Sequence, residues 1–269
     1  MISRICLTSG LFKSNLPNLI DTGPRLFGFH SSISRPFSTD FSTKLTRGDI
    51  VLYRGKFEGE TGDVLHSKNR PHIVISSNKV LEATKRVVVA PLSTATARFE
   101  YEVVIPSNDQ TGIDKTSKVV ANQIRTGSLE KGFKRIGSAA HYLPTINQAL
   151  MTCFGDTRMP RKVEIARGDV VEIDFGNFVR AGVIVSNDIG NHFSQIAMLA
   201  HTHHKGEAMN EFDLLVRREG GPPNQDELLV QCYMINTFAQ GFMDKAGRIP
   251  EEDMIKVTNM LFKTLGIEE

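Results

Sequence analysis

Apolar positions along this chain come in short runs, many of them β-branched, separated by clusters of Gly, Asn, Asp, Ser and Pro. Runs of this kind read as buried strands closed by turns. The series opens at Arg47-Gly48-Asp49-Ile50-Val51. It continues through His72-Ile73-Val74-Ile75, which ends in Ser76-Ser77-Asn78, and through Val87-Val88-Val89-Ala90-Pro91-Leu92-Ser93. Tyr101-Glu102-Val103-Val104-Ile105 and Lys118-Val119-Val120-Ala121-Asn122-Gln123 complete it. The same order then begins again 120 residues on, at Arg167-Gly168-Asp169-Val170-Val171. Gly182-Val183-Ile184-Val185-Ser186-Asn187, Ile196-Ala197-Met198-Leu199-Ala200-His201-Thr202, Phe212-Asp213-Leu214-Leu215-Val216 and Glu227-Leu228-Leu229-Val230-Gln231-Cys232 follow. Each series closes on a proline expected at a first helical position, Pro144 and Pro250. In the second, Met254, Val257, Leu261 and Leu265 recur at helical spacing and predict an amphipathic helix that shuts one end of a barrel. Glu251, Glu252 and Asp253 would sit in its first turn, where they favour the dipole.

Six matched elements in one order describe a duplication. The expected organisation is a unit over residues 44–155, a polar linker over 156–164 containing Pro160 and Arg161-Lys162, and a second unit over 165–269. No strand–helix–strand spacing is available for a parallel sheet, so the fold class is mainly β: tandem half-open barrels, each with a terminal helix. Arg47-Gly48-Asp49 resembles an adhesion motif in isolation, but its recurrence at the head of both units reads as a structural turn.

Composition changes this picture at the N-terminus. Residues 1–37 hold Arg4, Lys13, Arg25 and Arg35 against one acid, Asp21, and are rich in Ser, Leu, Phe and Pro. That is the make-up of a mitochondrial targeting segment, assigned here to residues 1–40 with processing near Arg35-Pro36-Phe37-Ser38; a secretory signal fits worse because Lys13, Pro17 and Asp21 break the apolar stretches. The expected location is the mitochondrial matrix. No run approaches a membrane span, and three scattered cysteines, Cys6, Cys153 and Cys232, suit neither a disulfide framework nor a thiolate metal site. The chain has no tryptophan. Charge is divided unevenly: residues 44–155 hold 16 basic and 10 acidic side chains, a net of +6, and residues 156–269 hold 12 and 18, a net of −6. A polyanion surface therefore belongs to the first unit.

The Arg-Gly-Asp opening, the Arg70-Pro71 entry to a Val/Ile strand ending in Ser, and Val89-Ala90-Pro91-Leu92-Ser93-Thr94 resemble the MazF/PemK family of toxin endoribonucleases. Arg167-Gly168-Asp169-Val170-Val171 and the stretch from Val183 to Gly190 resemble it a second time. The resemblance implies SH3-like barrels that pair around an RNA groove and cut single-stranded RNA with no metal or cofactor, by attack of the 2′-hydroxyl on the adjacent phosphate. It places the chemistry at Arg70 and Ser93 in the first unit and at Arg180 and Thr202 in the second. The residue types suit the task, because a guanidinium offers two donors to a phosphorane with little reorganisation, and a neighbouring hydroxyl can hold a phosphate or leaving oxygen.

Other RNA contacts are expected from Arg54, Lys56, His66 and Lys68 in a Gly-rich loop over residues 53–69, and from Thr94, Arg125, Lys131 and Lys134. The second unit departs from the pattern. Its loop shrinks to a hairpin at Gly176-Asn177-Phe178-Val179, Arg-Pro becomes Arg180-Ala181, and Ala200 replaces the proline, which predicts a degenerate copy acting as the fused partner of the first in a pseudo-dimer. Plainer readings stand beside these. Arg70 can instead satisfy a carboxylate or carbonyl at a strand start, Ser93 and Thr94 can be strand-end caps, and Lys131, Phe133, Lys134 and Arg135 can form a solvated loop. His201, His203 and His204 are expected in a polar loop after a strand rather than at a metal. On balance the sequence favours RNA binding in a structural or regulatory role, for instance within the mitochondrial ribosome, over metal-independent cleavage.

Overall fold

The computed structural model describes residues 44–53, 70–155, 164–176, 178–204, 210–221 and 226–267, all within one compact unit spanning Asp40–Glu269. The proposed targeting segment, the linker residues 156–163 and the loop carrying Arg54, Lys56, His66 and Lys68 lie outside the described residues.

The first barrel comprises β1 (Asp49–Tyr53), β2 (Pro71–Val74), α1 (Asn78–Thr84), β3 (Arg86–Ser93), β4 (Glu102–Ile105), β5 (Ser117–Val120), β6 (Arg125–Ser128), β7 (Phe133–Ser138) and α2 (Leu143–Phe154). The second comprises β8 (Asp169–Asp174), β9 (Val179–Ile184), α3 (Asp188–Ser194), β10 (Ile196–His204), β11 (Asp213–Arg217), β12 (Glu227–Ala239), β13 (Asp244–Arg248) and α4 (Glu251–Leu265). The antiparallel sheets run β4-β5-β3-β2-β1-β7, with β6 also on β3, and β11-β12-β10-β9-β8-β13. Long β12 does the work of β5 and β6 together, pairing with both halves of β10 across a bulge that leaves residues 232–234 out of register.

Several local expectations change. The Ser/Asn segments after β2 and β9 are the N-caps of two short helices, with Ser77 accepting from the Val80 N–H and Asn187 from the Gly190 N–H. Pro144 lies inside the first turn of α2, but Pro250 is the N-cap of α4. The stretch from Phe133 to Arg135 is not a solvated loop: it is strand β7, and Phe133 is buried and stacked on Tyr53 at 4.4 Å. His201, His203 and His204 belong to β10, not to a loop, and buried His201 shares a 2.9 Å hydrogen bond with the Asn236 amide.

The Arg-Gly-Asp turns are structural in both copies. Gly48 and Gly168 have φ of 90° and 83°, a region a side chain adopts only with strain. Asp49 and Asp169 accept from the N–H groups of Thr46 and Ala166 at 2.8 and 2.7 Å, and pair with Arg135 and Arg248 at 2.7 and 3.0 Å. Arg47 donates to the Ile75 carbonyl and Asn147, while Arg167 donates to the Val185 carbonyl and Thr258, so each arginine ties a strand end to the terminal helix.

The barrels join about a pseudo-twofold axis. The Thr126 hydroxyl meets the carbonyls of Tyr233 and Ile235 at 3.1 and 2.9 Å, and the Thr237 hydroxyl meets those of Asn122 and Ile124 at 3.4 and 3.0 Å. The Ser77 N–H donates to the Thr264 carbonyl at 2.8 Å, and the Asn187 N–H to the Cys153 carbonyl at 2.9 Å. One apolar cluster runs through both halves, from Ile50 and Leu150 to Val183 and Leu261. Met254, Val257, Leu261 and Leu265 are all buried in it, as the helical spacing requires.

Candidate functional site

β2 and β3 pair antiparallel with Ile73 opposite Ala90 and His72 opposite Pro91. The same register, continued two residues, sets Arg70 opposite Ser93, and directly opposed residues share a face of the sheet. On the other side Ser93 pairs with Lys118 of β5. The register of β1 with β2, continued likewise, brings Arg70 beside Tyr53, which itself pairs with Phe133. A row therefore crosses five strand positions: Phe133, Tyr53, Arg70, Ser93 and Lys118. It mounts a cation on each side of one hydroxyl.

The row's electrostatics are uneven. Arg70 is half-buried, and its Nη1 meets no hydrogen-bond partner among the described residues. Burial lowers its pKa from the ordinary value, but a guanidinium stays charged at neutral pH. Lys118 is buried and donates to Glu102 at 2.5 Å and to the Thr96 carbonyl at 3.0 Å, so its charge is largely offset. Burial of the Glu102 carboxyl raises its pKa, yet the Lys118 ammonium and the N–H groups of Arg98 and Phe99 outweigh this and hold it below the usual carboxylate value. Among the described residues, Arg70 is the charge of the row that no ion pair offsets. Ser93 is half-buried and accepts a long bond of 3.4 Å from the Ala95 N–H.

Two places along β2 and on the same face stands His72, 2% exposed. Burial first, and then the Arg70 charge, push its pKa down to about 4 against a hydrogen bond to the Arg70 backbone that raises it. A ring this acidic is neutral at pH 7 and supplies no proton there. Neither His72 nor Lys118 was singled out from the sequence; the one usable signal was that each interrupts an apolar strand run.

The other predicted contacts separate. Thr94 is exposed, one residue past the end of β3 and outside the row. Lys134 pairs with Leu52, so alternation turns it to the face opposite Arg70. Lys131 ends a helical turn, Leu129–Lys131, before β7. Arg125 is 2% exposed on β6, with its guanidinium 5.2 Å from the centre of the Phe238 ring, between the barrels.

In the second barrel the register corrects the sequence alignment. β9 and β10 pair with Val183 opposite Ala200 and Gly182 opposite His201, so His201 takes the place of Pro91 and Ala200 that of Ala90. Continued, the register sets Arg180 opposite His203, which pairs with Leu229. The counterpart of Ser93 is therefore His203, and Thr202 points to the other face. Ile173 stands for Tyr53, Leu229 for Lys118 and Gly182 for His72. The hairpin is tight, with the Phe175 N–H bonded to the Phe178 carbonyl at 3.0 Å, and Phe178 lies under the Arg180 guanidinium at 5.2 Å. Of the first barrel's row, only the arginine is kept.

Each barrel thus repeats one strand order around one arginine-bearing strand start. The model of the PemK-like, MazF-like toxins of type II toxin–antitoxin systems matches residues 46–154 and again residues 166–265. The chain belongs to the PemK-like, MazF-like toxin family. In this tandem PemK-like protein two family domains occupy one polypeptide. An endoribonuclease from a mycobacterial species, in complex with its cognate antitoxin, is 22% identical with a TM-score of 0.33, over 38% of this chain and 94% of that one. A MazE–MazF structure from Deinococcus radiodurans is 14% identical with a TM-score of 0.33, again over 38% and 94%. The Mycobacterium tuberculosis toxin MazF-mt6 is 20% identical with a TM-score of 0.31, over 38% and 92%. No curated protein sequence matches the tandem PemK-like chain significantly.

Proposed function

We propose that this protein is a metal-independent endoribonuclease acting on single-stranded RNA, with one working site in the first barrel. The observation behind this reading is the row Arg70, Ser93, Lys118, in which a guanidinium with a buried nitrogen unpartnered among the described residues stands beside a hydroxyl. Attack of a 2′-oxygen on phosphorus concentrates negative charge on the phosphoryl oxygens. Arg70 meets that charge with donors already desolvated and in place. Ser93 donates to a phosphoryl oxygen or to the departing 5′-oxygen. Neutral His72 keeps a second cation away from the back of Arg70, so the charge is presented outward. The second barrel, lacking the hydroxyl and the lysine, serves as a fused partner, and the net charge of +6 over residues 44–155 draws the strand to the first. Family membership supports cleavage over the purely structural role favoured by sequence. The composition of residues 1–40 motivates import into the mitochondrial matrix; a ribosomal association is the weaker reading.

The test is incubation of the full chain with mixed-sequence single-stranded RNA in EDTA, beside Arg70→Ala and Ser93→Ala. Products ending in a 2′,3′-cyclic phosphate, with rates falling about 10²-fold or more in Arg70→Ala, are expected. Intact RNA bound tightly by the wild type would leave only a binding role. A fluorescent fusion of residues 1–40 checks the location: a signal outside mitochondria removes the import proposal.

A further inference from the structure

The second barrel shows which side chains of the first its strands can do without. Around β4 and β11 the correspondence is fixed by hydrogen bonds. The N–H groups of Glu102 and Asp213 donate three residues back, to the carbonyls of Phe99 and Asn210, at 3.0 and 3.1 Å. Each carboxylate in return accepts from the N–H of that same residue, at 3.3 Å for Glu102 and 2.8 Å for Asp213. Glu102 therefore corresponds to Asp213. Val104 pairs with Lys118 and Leu215 with Leu229, so Lys118 corresponds to Leu229. The acid closes one turn in both barrels, and in the second it does so with a leucine in the lysine's place. The turn does not require Lys118.

Lys118 is nonetheless drawn inside, with the side chains of Lys118 and Glu102 only 9% and 5% exposed. An ion pair taken out of water seldom adds stability over packed apolar side chains, and Leu229 is such a replacement. A costly group that the fold can dispense with points to function. What separates the two places is the residue across the next strand pair. Lys118 directly opposes Ser93, whereas Leu229 opposes His203. Where the hydroxyl is lost, the lysine is lost with it.

Geometry says what the lysine offers. Directly opposed residues of antiparallel strands carry Cβ atoms about 4.5–5.5 Å apart, within reach of a lysine. An ammonium presents three donors. Two of those on Lys118 go to Glu102 at 2.5 Å and to the Thr96 carbonyl at 3.0 Å, and the third meets no acceptor among the described residues. Thr96 lies on the loop that begins at Ser93, and Glu102 also holds that loop by the Arg98 N–H at 2.6 Å. The pair is neutral as a unit, so Lys118 gives the site a directed N–H rather than net charge.

We propose that Lys118, held by Glu102, is a positioning residue for Ser93. With RNA in place its third N–H donates to Ser93 Oγ and turns the hydroxyl proton toward the 5′-oxygen of the scissile bond. Donation into Oγ also polarises the O–H, so its own hydrogen bond strengthens as negative charge grows on the departing oxygen. The Ala95 N–H, 3.4 Å from Oγ, is too distant to do this well. The proposal rests on the nuclease reading above and gives the hydroxyl one task, the leaving oxygen instead of a phosphoryl oxygen.

The experiment follows cleavage by the full chain in EDTA of two single-stranded RNAs, one unmodified and one with sulfur replacing the 5′-oxygen at the linkage the wild type cuts. A thiolate leaves without a hydrogen bond to help it. Lys118→Leu installs the residue of the second barrel, and Glu102→Gln added to it removes the carboxylate that would be stranded. Both variants should lower the saturated rate on unmodified RNA about tenfold to 10²-fold, the size of a lost charge-assisted hydrogen bond. Their KM should stay within about twofold of the wild type. Both should cut the sulfur RNA within about threefold of the wild-type rate, as should Ser93→Ala, while Arg70→Ala stays slow on both RNAs. If Lys118→Leu fails to fold, the double variant, which buries no charge, carries the test. Equal losses on the two RNAs overturn the proposal, and so does a return of the rate in the double variant, which would trace the loss to the stranded carboxylate. Full-rate cutting of unmodified RNA by either folded variant removes the role of Lys118 and leaves the nuclease standing. A wild type that leaves both RNAs intact removes the nuclease reading and this role with it.

Discussion

Thr126→Val should cost this protein more than any other single-methyl exchange at the junction of its barrels. Thr126 is 1% exposed, and its oxygen serves both directions at once. It meets the Ile235 and Tyr233 carbonyls at 2.9 and 3.1 Å, and it accepts from the Ile235 N–H at 2.9 Å. Valine keeps the shape and the packing but neither donates nor accepts. The exchange therefore strands one N–H and one carbonyl in a dry interface. At about 1–3 kcal/mol for each orphaned group, the expected loss is about 3 kcal/mol. Thr237 is the pseudo-symmetric partner, yet its hydroxyl only donates, to Ile124 at 3.0 Å or Asn122 at 3.4 Å, so Thr237→Val should cost about 1 kcal/mol. Urea unfolding followed by far-UV circular dichroism on both variants and the double variant measures this, with a non-additive double expected for neighbouring groups. A Thr126→Val loss below about 1 kcal/mol, or one no larger than that of Thr237→Val, refutes the claim that these hydroxyls hold the barrels together.

Other outcomes follow from single residues. The His72 pKa, about 4 when folded against 6.5 for the free side chain, means the unfolded chain binds the extra proton between those values. Its share of stability is complete above about pH 6.5 and drains as pH falls toward 4. It should be down about 2 kcal/mol by pH 5; urea midpoints at pH 7.5 and pH 5 should therefore diverge in the wild type and converge by that amount in His72→Gln, and equal slopes would refute the assignment. A Cβ on Gly137 would meet the Thr111 carbonyl oxygen at 2.1 Å, whereas one on Gly241 meets open space. Gly137→Ala should thus lower stability by about 2 kcal/mol or more while Gly241→Ala stays within about 0.5 kcal/mol, read as paired melting temperatures. If the two alanines melt alike, the close approach of the loop before β5 to β7 is wrong.

The local signals in the chain were strong because each rests on near neighbours. β-Branched runs closed by Ser and Asn marked the strands, the Met254-to-Leu265 spacing marked the buried face of α4, and the recurring Arg-Gly-Asp marked a turn that needs positive φ at glycine. Those elements in a repeated order were enough to give the duplication and the mainly β class, while Arg70 came as a candidate from the resemblance to the family. They were not enough to align the second copy. Counting from Ala200 set Thr202 against Arg180, while the hydrogen-bonded register, which a single-residue shift would turn face for face, puts His203 there. Similarly, Phe133 read as part of a basic loop because its partner Tyr53 is far away in sequence.

What the sequence by itself determined is the set of parts and their order, since hydrophobic period, turn chemistry and repetition act over a few residues at a time. What only the tertiary structure decided is which parts meet across the axis: Thr126 with Ile235, separated by 109 residues, and Thr237 with Ile124, separated by 113. The same packing buries Tyr233 and Met234 against Val80 and Phe212 in one place and leaves Asn122 and Gln123 lining a cleft between the barrels in another. These are complementarities between surfaces brought together by the fold, and no window along the chain contains both sides of them.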